Sequence, residues 1–175
     1  MNARLAKFHI DHRKQTAESG KVDWATAEAL AFGSLVEEGF KVRLVGQDCI
    51  RGTFSHRHAG FFDQTTYEPH FPLGTDYQVI SSPLSELAVM GFEYGRSLSD
   101  VNTLHVWEAQ FGDFFNGAQV VIDAFVSSGE QKWGVKSNLT LLLPHGYDGA
   151  GPEHSSCRME RFLQVILNNL CDVAL

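Results

Sequence analysis

The residues able to do chemistry gather in four short stretches. The first, Gly52-Thr-Phe-Ser-His-Arg-His58, contains an H-x-H pair. On an extended segment alternate side chains point the same way, so His56 and His58 are placed to meet one metal ion or one anion. No cysteine or second histidine cluster completes a zinc set at normal spacing, so no metal ligand is assigned. Plain surface histidines are one alternative, and contacts to a substrate carboxylate beside Arg51 or Arg57 are another. The second stretch, Ser81-Ser-Pro-Leu-Ser-Glu86, puts an acid in the first turn of a helix. Glu86 there either complements the positive helix end or, if buried, moves a proton for a ligand nitrogen. The dipole lowers its pKa and desolvation raises it, and a proton shuttle requires burial to dominate. The third, Trp107-Glu-Ala-Gln-Phe-Gly-Asp-Phe-Phe115, follows a strand with aromatics. Phe114 fits an apolar helix face and reads as core, whereas Phe111 falls off that stripe and either packs or stacks on a flat heterocycle. The fourth, Gly146-Tyr-Asp-Gly-Ala-Gly-Pro-Glu-His154, has the order G-x-x-G-x-G with proline next, which is not a dinucleotide loop. His154 either faces the ligand crevice or is simply a polar helix-start residue.

These stretches need elements to position them. Asp23 caps a predicted helix from Trp24 to about Glu38, with Trp24, Ala27, Ala31, Ser34 and Leu35 on one face and Gly39 at its stop. Strands are predicted at 41–45, 77–80, 104–107 and 139–143. The last, Leu139 to Leu143, reads as buried on both faces. A helix opens at Ser82-Pro83 and runs to about Leu98. Phe114, Ala118, Val121, Ile122 and Phe125 repeat at helical spacing, and a final helix covers about His154 to Leu170. Residues 46–77 form a long irregular loop, of the kind that is usually functional. Strands alternate with helices across connections long enough for crossovers. The fold class is therefore α/β, a mostly parallel sheet with helices on both faces. Ligands of such sheets sit at the carboxyl ends of the strands, just where 46–58, 81–86, 108–114 and 144–154 fall.

Composition limits the partners. The chain has 175 residues, 43% apolar and 20% charged, which is ordinary usage for a folded domain. Fourteen Lys and Arg stand against twenty-one Asp and Glu, a net charge of −7, which disfavours nucleic acid. No run approaches the ~18 apolar residues of a membrane span. Cys49, Cys157 and Cys171 form no CxxC pair and leave an odd one, so a reducing compartment is the simpler reading. The first twenty residues lack the apolar stretch of a secretory signal, and Asp11 and Glu18 count against a transit peptide.

Taken together, VDWATAEALAFGSL (22–35), GQD (46–48), RGTFSHRHA (51–59), SPLSE (82–86), GFEYG (91–95), WEAQFGDFFNGAQ (107–119) and LLLPHGYDGAGPEHSSCRMERFLQ (141–164) resemble the E1 component of 2-oxo acid dehydrogenase complexes, of the 2-oxoglutarate dehydrogenase type. The wording of FFNGAQ and GYDGAGPEHSSCR is similar to the 2-oxoadipate branch. The resemblance implies the pyrimidine-binding domain of a thiamin diphosphate-binding fold. It implies that Glu86 contacts N1′ of the aminopyrimidine and that Phe111 stacks on the pyrimidine with Phe114 beside it. His154 would face substrate, while His56 and His58 carry a loop motif with substrate contacts. The whole enzyme would attack a 2-oxo carbon through the cofactor ylide, release CO₂ and pass the acyl group to a lipoyl-E2 partner.

The same resemblance marks what is missing. The pyrophosphate domain carries a GDG motif that holds Mg²⁺ and phosphate, and no GDG occurs here. The division expected is a lead-in at 1–22, the pyrimidine domain at 23–164 and a divergent tail, VILNNLCDVAL, at 165–175. The chain is therefore expected to be a fragment, a truncated gene model or a splice product that needs an E1 pyrophosphate domain or a second E1 subunit. A non-catalytic subunit that binds full-length E1 is the alternative, and an unrelated α/β domain with an H-x-H metal is a third reading. Localisation follows only from the resemblance: mitochondrial matrix in a eukaryote, cytoplasm in a bacterium.

Overall fold

A computed structural model of the chain describes residues 2–170. Cys171 and the end of the expected tail, 171–175, lie outside the described residues. Residues 3–19 form one helical segment, α1, which winds as a π-helix across Ala6–Asp11. Then come α2 (Trp24–Glu37), β1 (Lys41–Gly46), a small antiparallel pair β2 (Phe61–Phe62) and β3 (Pro69–His70), and β4 (Tyr77–Ser81). Next are α3 (Glu86–Ser97), β5 (Thr103–Glu108), a mixed helix α4 over 112–126, α5 (Gly129–Trp133), β6 (Leu139–Leu142) and α6 (Met159–Leu170). The main sheet has the order β4-β1-β5-β6, parallel throughout, with Val45 opposite both Ile80 and Trp107.

Helices cover both faces, as the alternation of strands and helices requires. On one face Val42, Leu44, Tyr77, Val79 and Val106 meet Phe32 of α2. On the other, Val45 and Trp107 meet Val89 and Met90 of α3 and Phe115, Ala118, Val121 and Ile122 of α4. The period of two along a strand separates these sets. Among the described residues no helix is long and apolar enough to cross a membrane.

Several expected details shift, each for a local reason. Asp23 does cap α2, accepting from Thr26 N at 2.7 Å. The stripe of Trp24, Ala31 and Ser34 nevertheless faces out, and Trp24 is 93% exposed. Phe32, 5.6 Å from the Tyr77 ring, sets the rotation of the helix instead. Helix α3 opens at Ser85, not Ser82, because Ser82 N still donates to Gly46 O and prolongs the sheet. Helix α4 begins as a 3₁₀ turn of three residues per turn. That pitch sends Phe115, not Phe114, into the core above Ala118. Strand β6 is an edge strand and only half-buried, rather than covered on both faces. The last helix starts at Met159, since Gly149 to Arg158 stay in loop and a 3₁₀ turn at Pro152–His154. The loop 46–77 contains the β2–β3 pair.

The lead-in is built into the domain. Arg13 Nη2 donates to Arg57 O at 2.8 Å, and His12 Nε2 lies 2.8 Å from Asp23 Oδ2. His9 is buried, its ring centroid 4.8 Å from that of His58. Burial first, then the charges of Arg13 and His58, lower its pKa to about 4. An imidazole with a folded pKa below its unfolded one binds protons more readily when released. Docking of α1 is therefore fully supported above pH 6.5 and weakens as pH falls from there toward 4. This group alone is expected to cost about 2 kcal/mol between pH 7 and pH 5. Amide exchange across 3–19 checks it: opening should accelerate at pH 5 beyond the intrinsic pH effect, and His9→Phe should weaken that dependence, leaving the share due to His58.

Candidate functional site

At the carboxyl ends of β5 and β6 lies a cavity of about 770 Å³. Glu108 and Leu142, the last residues of those strands, form its floor. Helix α2 supplies one wall through Trp24, Ala27 and Glu28, and the loop after β6 supplies the other. Phe111, the residue that opens α4, lines it as well.

The polar end of the cavity is organised by a residue behind its wall. Arg57 is buried and all five of its N–H groups are used. Nε donates to Glu28 Oε1 at 2.6 Å, and Nη2 donates to Glu28 Oε2 at 2.9 Å and Glu108 Oε1 at 2.6 Å. Nη1 donates to Glu108 Oε2 at 2.6 Å and to Cys49 O at 2.9 Å. Burial works against the charge of Arg57, but the hydrogen bonds to Glu108 and Glu28 outweigh it and raise its pKa. Paired forks of this kind are strong because both partners are charged and planar. His56 Nε2 sits 3.3 Å from Arg57 Nη2 and 3.8 Å from Glu108 Oε1. Burial, then the neighbouring Arg57 charge, lowers the His56 pKa, which keeps the ring neutral at pH 7.

The apolar end is aromatic. The Phe111 ring stands edge-to-face with His154 at 4.5 Å, with Phe54 at 5.6 Å and with Phe114 at 5.8 Å. Phe114 meets His154 at 5.2 Å in the same manner. A glycine permits this closure: a Cβ on Gly149 would lie 2.3 Å from His154 Cβ and 2.9 Å from Phe111 Cε1. Buried Asp113 holds the loop in place, accepting from Ser155 N at 3.0 Å and Ser156 N at 2.7 Å and pairing with Arg158 at 3.1 Å.

Of the residues singled out in the sequence, Phe111, His154 and His56 line this cavity, and Phe114 packs against Phe111 and His154 without lining it. Glu86 does not line this cavity. It is half-buried in the first turn of α3 and borders a small hollow with Gln110, Trp107 and Glu108. Glu108 is thus common to the hollow and the cavity. His56 and His58 do not share a ligand space, because the segment is not extended: Ser55 and His58 have φ of 55° and 44°. His58 instead lines a second cavity of about 190 Å³ beneath α1. Glu28, His56 and Glu108 bring one ligand atom each within 4.8 Å of one another, a spacing a metal would accept. Arg57 already occupies the space between the two carboxylates and neutralises one of them. Cys49 is buried, donates to Ile80 O, and burial pushes its thiol up to about 12, so it is no nucleophile.

The sequence reading missed the Arg57 network and Phe54. Glu28 and Glu108 are 29 and 51 residues from Arg57, so no local spacing connects them. The one usable signal was Glu108, the residue that directly follows the predicted strand 104–107.

Removing the guanidinium should leave the buried Glu108 carboxylate facing the half-buried Glu28 with no cation between them. Arg57→Met is expected to destabilise the domain by about 3–5 kcal/mol. Adding Glu108→Gln to that variant should recover part of the loss. Denaturant unfolding of the three proteins checks this, and a loss under about 1 kcal/mol would mean the network is not what holds the loop.

Residues 20–173 match the family described as transketolase, pyrimidine binding domain. The chain is 56% identical over 176 residues to the probable 2-oxoadipate dehydrogenase complex component E1 homolog of Caenorhabditis elegans, covering 96% of this chain and 19% of that protein. It is 54% identical over 182 residues to the 2-oxoadipate dehydrogenase complex component E1 of Homo sapiens, covering 99% and 19%. It is 56% identical over 178 residues to the 2-oxoglutarate dehydrogenase E1 component of Brucella anthropi, covering 98% and 18%. The chain thus spans about a fifth of the length of the curated relatives it matches. A four-stranded parallel sheet with a ring-lined cavity at its strand tips, and a match over nearly the whole length, make this chain a member of the transketolase pyrimidine-binding domain family.

Proposed function

We propose that this chain forms the ring-binding wall of a thiamin diphosphate-dependent 2-oxo acid dehydrogenase E1. The observation that carries the reading is the convergence of Phe54, Phe111 and His154 around one cavity at the strand tips, with Phe114 packed against Phe111 and His154. Rings set edge-to-face leave flat apolar surface for a heterocycle. His56 Nδ1 is buried without a hydrogen-bond partner, an orphan that a ring nitrogen or amino group would satisfy. The residues present fit the aminopyrimidine and thiazolium rings. They do not fit the diphosphate, because among the described residues no Lys or Arg lines the cavity.

Bound thiamin diphosphate supplies the nucleophilic carbon that a 2-oxo acid needs to lose CO₂. This chain's residues bind and orient. Phe111 stacks against the pyrimidine, Phe114 backs it, and His154 and His56 face the substrate. Glu86 holds or delivers a proton at the pyrimidine N1′. Its place beside Glu108, the residue shared by hollow and cavity, supports that role. The names of the E1 relatives support 2-oxoglutarate or 2-oxoadipate as substrate, and a lipoyl-E2 would take the acyl group. A pyrophosphate-binding domain or a second E1 subunit completes the site and holds Mg²⁺. A relative from Dictyostelium discoideum, 60% identical over 161 residues and described as "2-oxoglutarate dehydrogenase, mitochondrial", supports the mitochondrial matrix.

Glu86→Gln within a complete E1 chain should lower kcat about 10²–10⁴-fold, the usual contribution of a positioned proton donor. Thermal stability should be unchanged, since Glu86 is half-buried and outside the Arg57 network. Steady-state kinetics of the two proteins decides it, and full retention of kcat removes the role of Glu86.

A further inference from the structure

One charged pair takes no part in the cavity. The side chain of Glu93, in α3, is 1% exposed, and that of Arg43, in β1, is 12% exposed. Arg43 Nε donates to Glu93 Oε2 at 2.9 Å and Nη2 donates to Oε1 at 2.9 Å, a two-point fork. Nη1 donates to Gln78 Oε1, in β4, at 3.2 Å. His105 Nδ1, in β5, stands 3.6 Å from Glu93 Oε2, too far for a hydrogen bond, and both His105 ring nitrogens are buried without a partner. The fork is therefore what holds the Glu93 carboxylate. Arg43 lies opposite Gln78 on one side and His105 on the other, so the three residues form a row across the sheet. Val45 and Trp107, two residues further along their strands, share that face and meet α3.

Helix α3 turns one stripe toward the sheet. Half-buried Glu86 and buried Val89, Met90, Glu93 and Ser97 follow one another at helical spacing. Glu86 and Glu93 are two turns apart on that stripe, about 10 Å along the axis. The Glu86 carboxylate stands between the strand tips and α4: it borders the hollow with Trp107 and Glu108, and a Cβ on Gly117 would lie 3.8 Å from its Oε2. Val89 and Met90 hold α3 by apolar contact, which has no direction and tolerates sliding. The fork has direction, and it fixes the helix both along its axis and about it. We infer that Arg43 and Glu93 are a positioning pair that sets where the Glu86 carboxylate stands at the strand tips. The inference rests on the reading of Glu86 as the group that holds or delivers a proton at the pyrimidine N1′. A misplacement of about 1 Å at a reacting group can cost on the order of 10²-fold in rate, so an ion pair two turns away acts on chemistry it never touches.

A double-mutant cycle in a complete E1 chain tests this. Arg43→Met with Glu93→Leu replaces the pair by apolar side chains of similar size, an exchange that is often neutral for stability. It should lower kcat about tenfold or more and change KM for the 2-oxo acid less than about twofold. In the Glu86→Gln background the same exchange should cost less than about twofold, because a group already removed cannot be misplaced. A purely structural pair would instead lower the melting temperature and reduce kcat by the same factor in both backgrounds. If the apolar pair does not fold, Arg43→Lys, which keeps the charge but not the fork, takes its place in the cycle. An unchanged kcat on losing the fork, or equal losses in both backgrounds, overturns the inference while Glu86 keeps its role. If Glu86→Gln itself leaves kcat unchanged, the reading of Glu86 falls and the inference falls with it.

Discussion

A guanidinium buried between two carboxylates is stable only when every donor finds an oxygen and both acids stay ionised. Arg57 meets that condition. Desolvating three charges is costly, and the cost is offset only by near-ideal fork geometry. The arrangement therefore fixes three elements at once. Glu28 belongs to α2, Glu108 to the tip of β5, and Arg57 to the loop after β1. A shift of any one would strand a buried charge. The position of the cavity follows, because Glu28 and Glu108 are two of its walls and His56 is the neighbour of Arg57 in the chain.

The second constraint is close approach at the strand tips. Gly46 ends β1 where a Cβ would lie 2.2 Å from Glu108 O, and Gly149 lets the Phe111 and His154 rings meet. Any larger residue at Gly46 would push β1 from β5 and break the register Gly46 to Glu108. Asp113 then ties the loop before α6 to the start of α4 through two backbone N–H groups. Polar fixing and glycine clearance thus act together: one holds the loop near, the other lets the rings close on each other.

What was legible in the sequence were the features that a few neighbouring residues decide. Asp23 caps α2 because a carboxylate three residues before a free N–H is a local matter. The strands at 41 and 104 are apolar runs between turn signals, and their alternation with helices implied the parallel sheet. The site segments were legible because they follow strands. The rotation of α2 was not, since Phe32 and Glu28 are oriented by partners far away in the chain. Phe114 was assigned to the core on a period of 3.6, and a 3₁₀ start displaced the assignment by one residue to Phe115. H-x-H implied one shared ligand only for an extended chain, and a left-handed His58 separated the rings. Each of these differences arises where a tertiary contact or an unusual backbone angle overrides the local pattern.

The helix that precedes the domain belongs to the same electrostatic unit. Arg13 donates to the carbonyls of His56 and Arg57, so α1 fixes the backbone from which both polar side chains depart. Counting half-buried Arg13 and buried Arg57 against half-buried Glu28 and buried Glu108, the cluster is formally neutral, which lowers the cost of withdrawing its charges from water. His9, on that helix, and His58, packed against it, stay uncharged because burial and Arg13 oppose their protonation. A protonated ring there would add a third cation to the cluster with no acid to meet it. The docking of α1 and the geometry of the cavity wall are therefore one equilibrium, set by how many positive charges two carboxylates can hold.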